Sequence, residues 1–191
     1  MVHGHERKFQ SLPDELERLG LNGRATDSQF AQNPLPVAQA MGRALARLHQ
    51  QAAPDGLASR SPAEIDGVRA AVAAGGPFPS PFTRVSADAI LAMVDAPPVA
   101  SDPVVTHGSP IVESVVLVDS IATFEPAGTD GFDPPERDLA IVIRSLAETF
   151  TPEVARTFIE GYEEAGCEQS VPIERLCVCL LYTSPSPRDR G

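Results

Sequence analysis

The segment Thr106-His107-Gly108-Ser109-Pro110-Ile111-Val112-Glu113-Ser114-Val115-Val116-Leu117-Val118 concentrates residue types able to do chemistry. A β-branched run, Val104 to Thr106, leads into it, and Val115 to Val118 leads out. It therefore reads as a tight loop between two short strands. A His-Gly turn feeding a strand can aim side chains into a cleft. On these residues alone His107 has two readings: a group in a reacting site, or a buried histidine satisfied by backbone. Carboxylates surround it in sequence: Glu113 in the loop, Asp119, Glu125, Asp130 and Asp133 after it, and Asp138 further on. A carboxylate can orient or deprotonate a hydroxyl near neutral pH, whereas a serine such as Ser109 cannot act as a base there.

The elements that must position these residues are mostly helices. Pro36 is predicted to open one, with Val37, Met41, Ala44, Leu45 and Leu48 on a single apolar stripe and Arg43, Arg47 and His49 standing off it. Pro54-Asp55-Gly56 ends it. Ser61-Pro62-Ala63-Glu64 has the form of a capping box before a helix carrying Ile65, Val68 and Val72 and stopping at Gly75-Gly76. Ser86 is predicted to cap a third helix through Ile90, Leu91 and Val94, closed by Pro97-Pro98. Asp119-Ser120 is short enough to join Val115–Val118 and Ile121–Phe124 into a hairpin. Past Pro134-Pro135, Leu139, Val142, Ile143 and Leu146 mark the strongest helix. Thr151-Pro152-Glu153 signals another start: a Thr cap, Pro at the first position, then an acid favoured by the helix dipole. Val154, Phe158, Ile159 and Tyr162 give that helix its core face, and Gly166 ends it. A last helix is predicted to begin near Pro172. Residues 1–35 are weakly patterned, with Leu12, Leu16 and Leu19 able to share one face of a short helix and Asn22-Gly23 marking a turn.

Composition narrows the classes. The 26 Asp and Glu outnumber the 15 Lys and Arg, for a net charge of -11. That disfavours nucleic acid, whose phosphates need clustered cations. It is compatible with a cationic small substrate, and equally with solubility alone. No window is apolar enough to span a bilayer and no signal core follows Met1, so no membrane association and a cytoplasmic location are expected. Cys167, Cys177 and Cys179 form neither a disulfide framework nor a zinc set and read as reduced thiols.

The order of features is more telling than any one of them. A helix ending Ala-Arg-Leu-His49 is followed by Val-Thr-His107-Gly, a strand pair, Phe124-Glu125, Asp138-Leu-Ala, Ile143-Arg-Ser-Leu and Phe158-Ile-Glu-Gly-Tyr162. Over residues 36–178 this resembles the aminoglycoside phosphotransferase family. The resemblance implies an α+β, predominantly helical fold: the C-terminal, substrate lobe of a protein-kinase-like fold, with a few short strands around the catalytic-type loop. It also implies transfer of the ATP γ-phosphate to a hydroxyl of a small molecule, with Mg²⁺ neutralising charge. Ser109 stands where that family has its catalytic Asp, and Ser114 where it has a metal-binding Asn. Glu125 falls near the metal-binding Asp. His107 and Asp138 are retained, in loop-bracing roles. Neither a glycine-rich phosphate loop nor a strand lysine occurs in the first 35 residues, where Lys8 is the only lysine of the chain.

Residues 179–189, Cys-Leu-Leu-Tyr-Thr-Ser-Pro-Ser-Pro-Arg-Asp, resemble the translation of a transposase adapter used in sequencing-library preparation. The organisation expected is a weakly structured segment or linker at 1–35, a phosphotransferase-like lobe at 36–178, and a non-native tail at 179–191. The functional expectation is a fragment of a small-molecule kinase, inactive as given because the nucleotide lobe and the catalytic Asp are missing. The alternatives are a pseudokinase and a free-standing helical binding module. Expected partners are a small hydroxylated substrate and the missing N-terminal lobe.

Overall fold

The structure is a computed structural model that describes residues 22–53, 55–59, 61–75, 85–95, 101–126 and 131–167, together with residues 176 and 179. The expected helices near Leu12 and Pro172, the Pro97-Pro98 stop and Asp130 lie outside the described residues.

Two helices make the centre. Helix α2 spans Pro34–His49, behind a four-residue helix α1 at Ser28–Ala31. It begins two residues ahead of the expected Pro36. Pro34 takes the first helical position and Pro36 sits within the first turn, where no intrahelical N–H bond is forfeited. Its Val37, Met41 and Leu45 stripe is fully buried. Helix α6, Pro152–Glu164, packs across it with Val154, Phe158 and Tyr162. The two backbones meet through Gly42 and Gly161: a Cβ on Gly42 would fall on the carbonyl oxygen of Phe158, and one on Gly161 on that of Gln39. Thr151 occupies the N-cap position in extended conformation, but its side chain makes no capping bond, and only its carbonyl joins the helix.

Helix α5, Glu136–Thr149, adds Leu139, Val142 and Leu146 to the same core. Helices α3 (Ser61–Ala73) and α4 (Ala87–Asp95) pack on each other around a separate small cluster, Val68, Ile90 and Val94. Ser86 caps α4 as expected, its Oγ accepting the Ala89 N–H at 3.2 Å. The capping box expected of Ser61 and Glu64 is not what Glu64 does: its carboxylate is held by Arg137 of α5.

Among the described residues five short strands form two antiparallel sheets. Strands β3 (Val115–Val118) and β4 (Ile121–Phe124) make the expected hairpin, with Asp119 and Ser120 both at positive φ (48° and 66°), the conformation a two-residue hairpin turn demands. Strand β1, Gly23–Arg24, joins the other side of β3, pairing Arg24 with Val116. The weakly patterned segment thus supplies a strand and, through Ala25 and Phe30, part of the core. Strand β2, Val104–Thr106, pairs with β5, Gly131–Asp133, which sequence patterning did not predict. Among the described residues no helix is long and apolar enough to cross a membrane.

Candidate functional site

Strand β2 delivers His107, Gly108 and Ser109 to the first turn of α5, where Asp138 is wholly buried. One carboxylate oxygen of Asp138 accepts the His107 N–H at 2.6 Å and the other the Gly108 N–H at 2.9 Å. A helix N-terminus favours the negative charge, and charge-assisted bonds of this kind are worth about 1.5–3 kcal/mol each. Gly108 has φ of 85°, a region glycine enters without strain, which lets consecutive amides point at one acceptor.

A buried chain of hydrogen bonds stands behind Asp138. His49 Nε2 lies 3.3 Å from Asp138 Oδ2, and His49 Nδ1 lies 2.8 Å from the Tyr162 hydroxyl. Burial pushes the Tyr162 phenol well above its ordinary value, with Cys167 adding to the shift, so the phenol keeps its proton. In the tautomer that pairs both contacts, Nε2 carries the proton and donates to the Asp138 carboxylate, and Nδ1 accepts from the phenol. Sequence patterning set His49 off the apolar stripe as a polar position. The structure buries it, because Asp138 and Tyr162 satisfy both ring nitrogens.

His107 is bonded at both ring nitrogens. The Ser109 N–H donates to its Nδ1 at 3.3 Å, so Nε2 carries the proton and donates to the Glu125 carbonyl at 2.6 Å. Its ring tilts against Phe124. Arg137, beside Asp138, donates from Nη1 to the Gly108 carbonyl at 2.8 Å, while Nε and Nη2 hold the Glu64 carboxylate. Burial alone would lower the Arg137 pKa, but its bonds to Glu64 outweigh that and leave it raised. Arg137 was not foreseen from the sequence.

The remaining sequence candidates separate. The Ser114 Oγ donates to the Ile111 carbonyl at 2.7 Å. Glu125 makes a two-pronged pair with Arg24, at 2.8 and 3.1 Å, and both side chains are about half exposed. Arg24 also donates to the Glu113 carbonyl, while Glu113 itself is an exposed turn residue. Asp119 is at the exposed hairpin tip, and Asp133 is buried and accepts from Ser59 Oγ at 2.6 Å. Among the described residues no group of three His, Cys, Asp or Glu could hold a metal ion. Among the described residues the donor set at this loop does not fit Mg²⁺-ATP: residue 109 brings a hydroxyl and the Glu125 carboxylate is paired with Arg24, while Asp130 lies outside those residues. Beside the loop, a cavity of about 470 Å³ is lined by Arg47, Leu48, Leu57, His107, Ala122 and Phe124, largely apolar with one cationic group.

No family model matches the sequence, and no curated protein matches it. Solved structures do match. A type VIII aminoglycoside-3'-phosphotransferase superposes with a TM-score of 0.64 at 24% identity, over 79% of this chain and 60% of that one. A choline/ethanolamine kinase family protein from Mesorhizobium loti gives 0.58 at 17% identity, over 83% and 54%. An aminoglycoside phosphotransferase from Streptomyces rimosus, solved with ADP and streptomycin, gives 0.56 at 20% identity, over 78% and 62%. The chain therefore spans about 54–62% of the length of these proteins. It has the α+β, kinase-like fold that these aminoglycoside phosphotransferases share, in the extent of a C-terminal lobe.

Proposed function

We propose that the chain is the substrate-side lobe of a small-molecule kinase of the aminoglycoside-phosphotransferase type, in which the catalytic loop is preserved as a scaffold and the transfer chemistry is not. The observation that carries this is the loop itself. Asp138, backed by His49 and Tyr162, bonds the His107 and Gly108 N–H groups, Arg137 bonds the Gly108 carbonyl, and the turn so held carries Ser109, not a carboxylate.

Phosphoryl transfer asks the protein chiefly for positioned phosphates, metal-bound charge neutralisation and an oriented nucleophile. Losing an oriented carboxylate costs about 10² to 10⁴ in rate. Ser114 and Glu125, engaged with Ile111 and Arg24, do not make up the loss. On this reading the ligand class is a small hydroxylated molecule, with the acidic surface tolerant of a cationic one. The retention of a complete loop without its carboxylate favours a pseudokinase over a catalyst.

The test is transfer of ³²P from γ-labelled ATP, with Mg²⁺, to streptomycin, other aminoglycosides and choline by the full chain. No product above the protein-free control is expected. Sustained turnover on any acceptor would overturn the proposal; turnover that survives Ser109→Ala would make this an enzyme that works from a base other than residue 109.

A further inference from the structure

We infer that Glu64, on α3, is a positioning residue for residue 109, acting through Arg137. The inference takes its functional meaning from the reading of this loop as a transfer-type loop; its geometry stands without that reading.

The peptide between Gly108 and Ser109 is held at both of its polar groups. Its carbonyl accepts from Arg137 Nη1 at 2.8 Å, and its N–H donates to His107 Nδ1. The plane of this peptide sets the direction in which the side chain of residue 109 leaves the loop. The His107 and Asp138 contacts originate in the main body. Arg137 is different, because two of its nitrogens are committed to a carboxylate from a separately packed unit. Glu64 belongs to the α3–α4 pair, whose core of Val68, Ile90 and Val94 is distinct from the main one. Arg137 is only 4% exposed, so this pair is far less screened than a surface ion pair. A guanidinium is a rigid planar fork. With Nε and Nη2 fixed by Glu64, the direction of Nη1 is fixed too, and so is the Gly108 carbonyl it holds. Movement of α3–α4, as on binding a molecule against those helices, is thereby converted into rotation of the Gly108–Ser109 peptide.

Two other ties between this region and the β2–β5 sheet, Ser59 Oγ to Asp133 and the Phe132 N–H to the Ala58 carbonyl at 3.2 Å, locate the start of α3 without reaching the loop. Glu64 alone among the described residues of α3 does so through a single intervening side chain. It also sits in the first turn of α3, where a negative charge favours the helix, so the test must separate that role.

The experiment is amide hydrogen exchange by NMR on the full chain and on Glu64→Gln. The expected result is a rise of about tenfold in exchange at Ser109, from local opening, with Leu45 and Phe158 in the main core unchanged. Faster exchange confined to α3 would mean that Glu64 serves only the helix dipole, and would overturn the inference. An equal rise at Ser109 and in the core would mean only lost global stability and would overturn it as well, as would no change at all. Should Glu64→Gln not fold, Glu64→Asp keeps the charge one methylene short and is expected to raise exchange at Ser109 by a smaller factor. None of these outcomes depends on whether phosphate transfer is found.

Discussion

Replacing Asp138 by alanine leaves the His107 and Gly108 N–H groups and the His49 Nε2–H buried without an acceptor. Orphaned buried donors cost about 1–3 kcal/mol each, so Asp138→Ala is expected to lose about 3 kcal/mol or more in urea denaturation, much of a small domain's stability. Tyr162 gives a prediction with a sign. Its native pKa lies above the unfolded value of 10, so the phenol's contribution is fully present below pH 10. Above that pH the unfolded chain releases the proton while the native state keeps it, and stability falls as pH rises, by up to about 1.4 kcal/mol per unit. Tyr162→Phe should flatten that alkaline slope in pH-dependent denaturation, while costing about 1 kcal/mol at neutral pH by leaving His49 Nδ1 unpaired. At this scale the sequence disclosed only part of the site. A resemblance singled out His107 and Asp138, and the structure brings the His107 N–H and the Asp138 carboxylate together. Arg137 and His49 were not legible, because what makes each matter is a partner far along the chain: Glu64 and Gly108 for one, Asp138 and Tyr162 for the other.

Helices were legible where stripe and punctuation agreed. The α2, α5 and α6 stripes are the buried faces observed, and Pro152 stands where a first helical position was expected. Strands β1 and β5 escaped because two or three residues cannot display an alternation, and Asn22-Gly23 read locally as a turn. The capping-box reading of Glu64 failed for a physical reason: a buried guanidinium is a better partner for a carboxylate than an exposed backbone N–H. Nothing in the stripes announced the crossing of α2 and α6, which depends on the absence of two side chains. A methyl group at Gly42 would occupy the space of the Phe158 carbonyl and crowd the Tyr162 nitrogen at 2.7 Å. Gly42→Ala is expected to destabilise by about 2 kcal/mol or more, since rigid backbone on both sides cannot yield as a side chain can. A midpoint unchanged in urea denaturation would show that the helices slide apart freely.

Over the whole molecule, the fold class followed from the proportion of helix to strand and from the order of features. The pairing of strands did not, since each pair is distant or brief in sequence. Against a net charge of -11, three guanidinium groups, Arg24, Arg47 and Arg137, stand within or beside the loop and its cavity. Each guanidinium there is engaged by the chain itself, Arg24 with Glu125, Arg47 with the Ala122 carbonyl and Arg137 with Glu64.

The crossing of α2 and α6 also has a cost in time. Arg43 and Glu164, bonded across it, are 121 residues apart. On a ribosome adding about 5–20 residues per second, α2 would wait roughly 6–24 s for its partner. Throughout that interval the Val37, Met41 and Leu45 stripe lacks the Phe158 and Tyr162 side of its core, and only elements made earlier, such as β4 and α5, can cover it. Association with chaperones, or aggregation in their absence, competes with folding until α6 has been made.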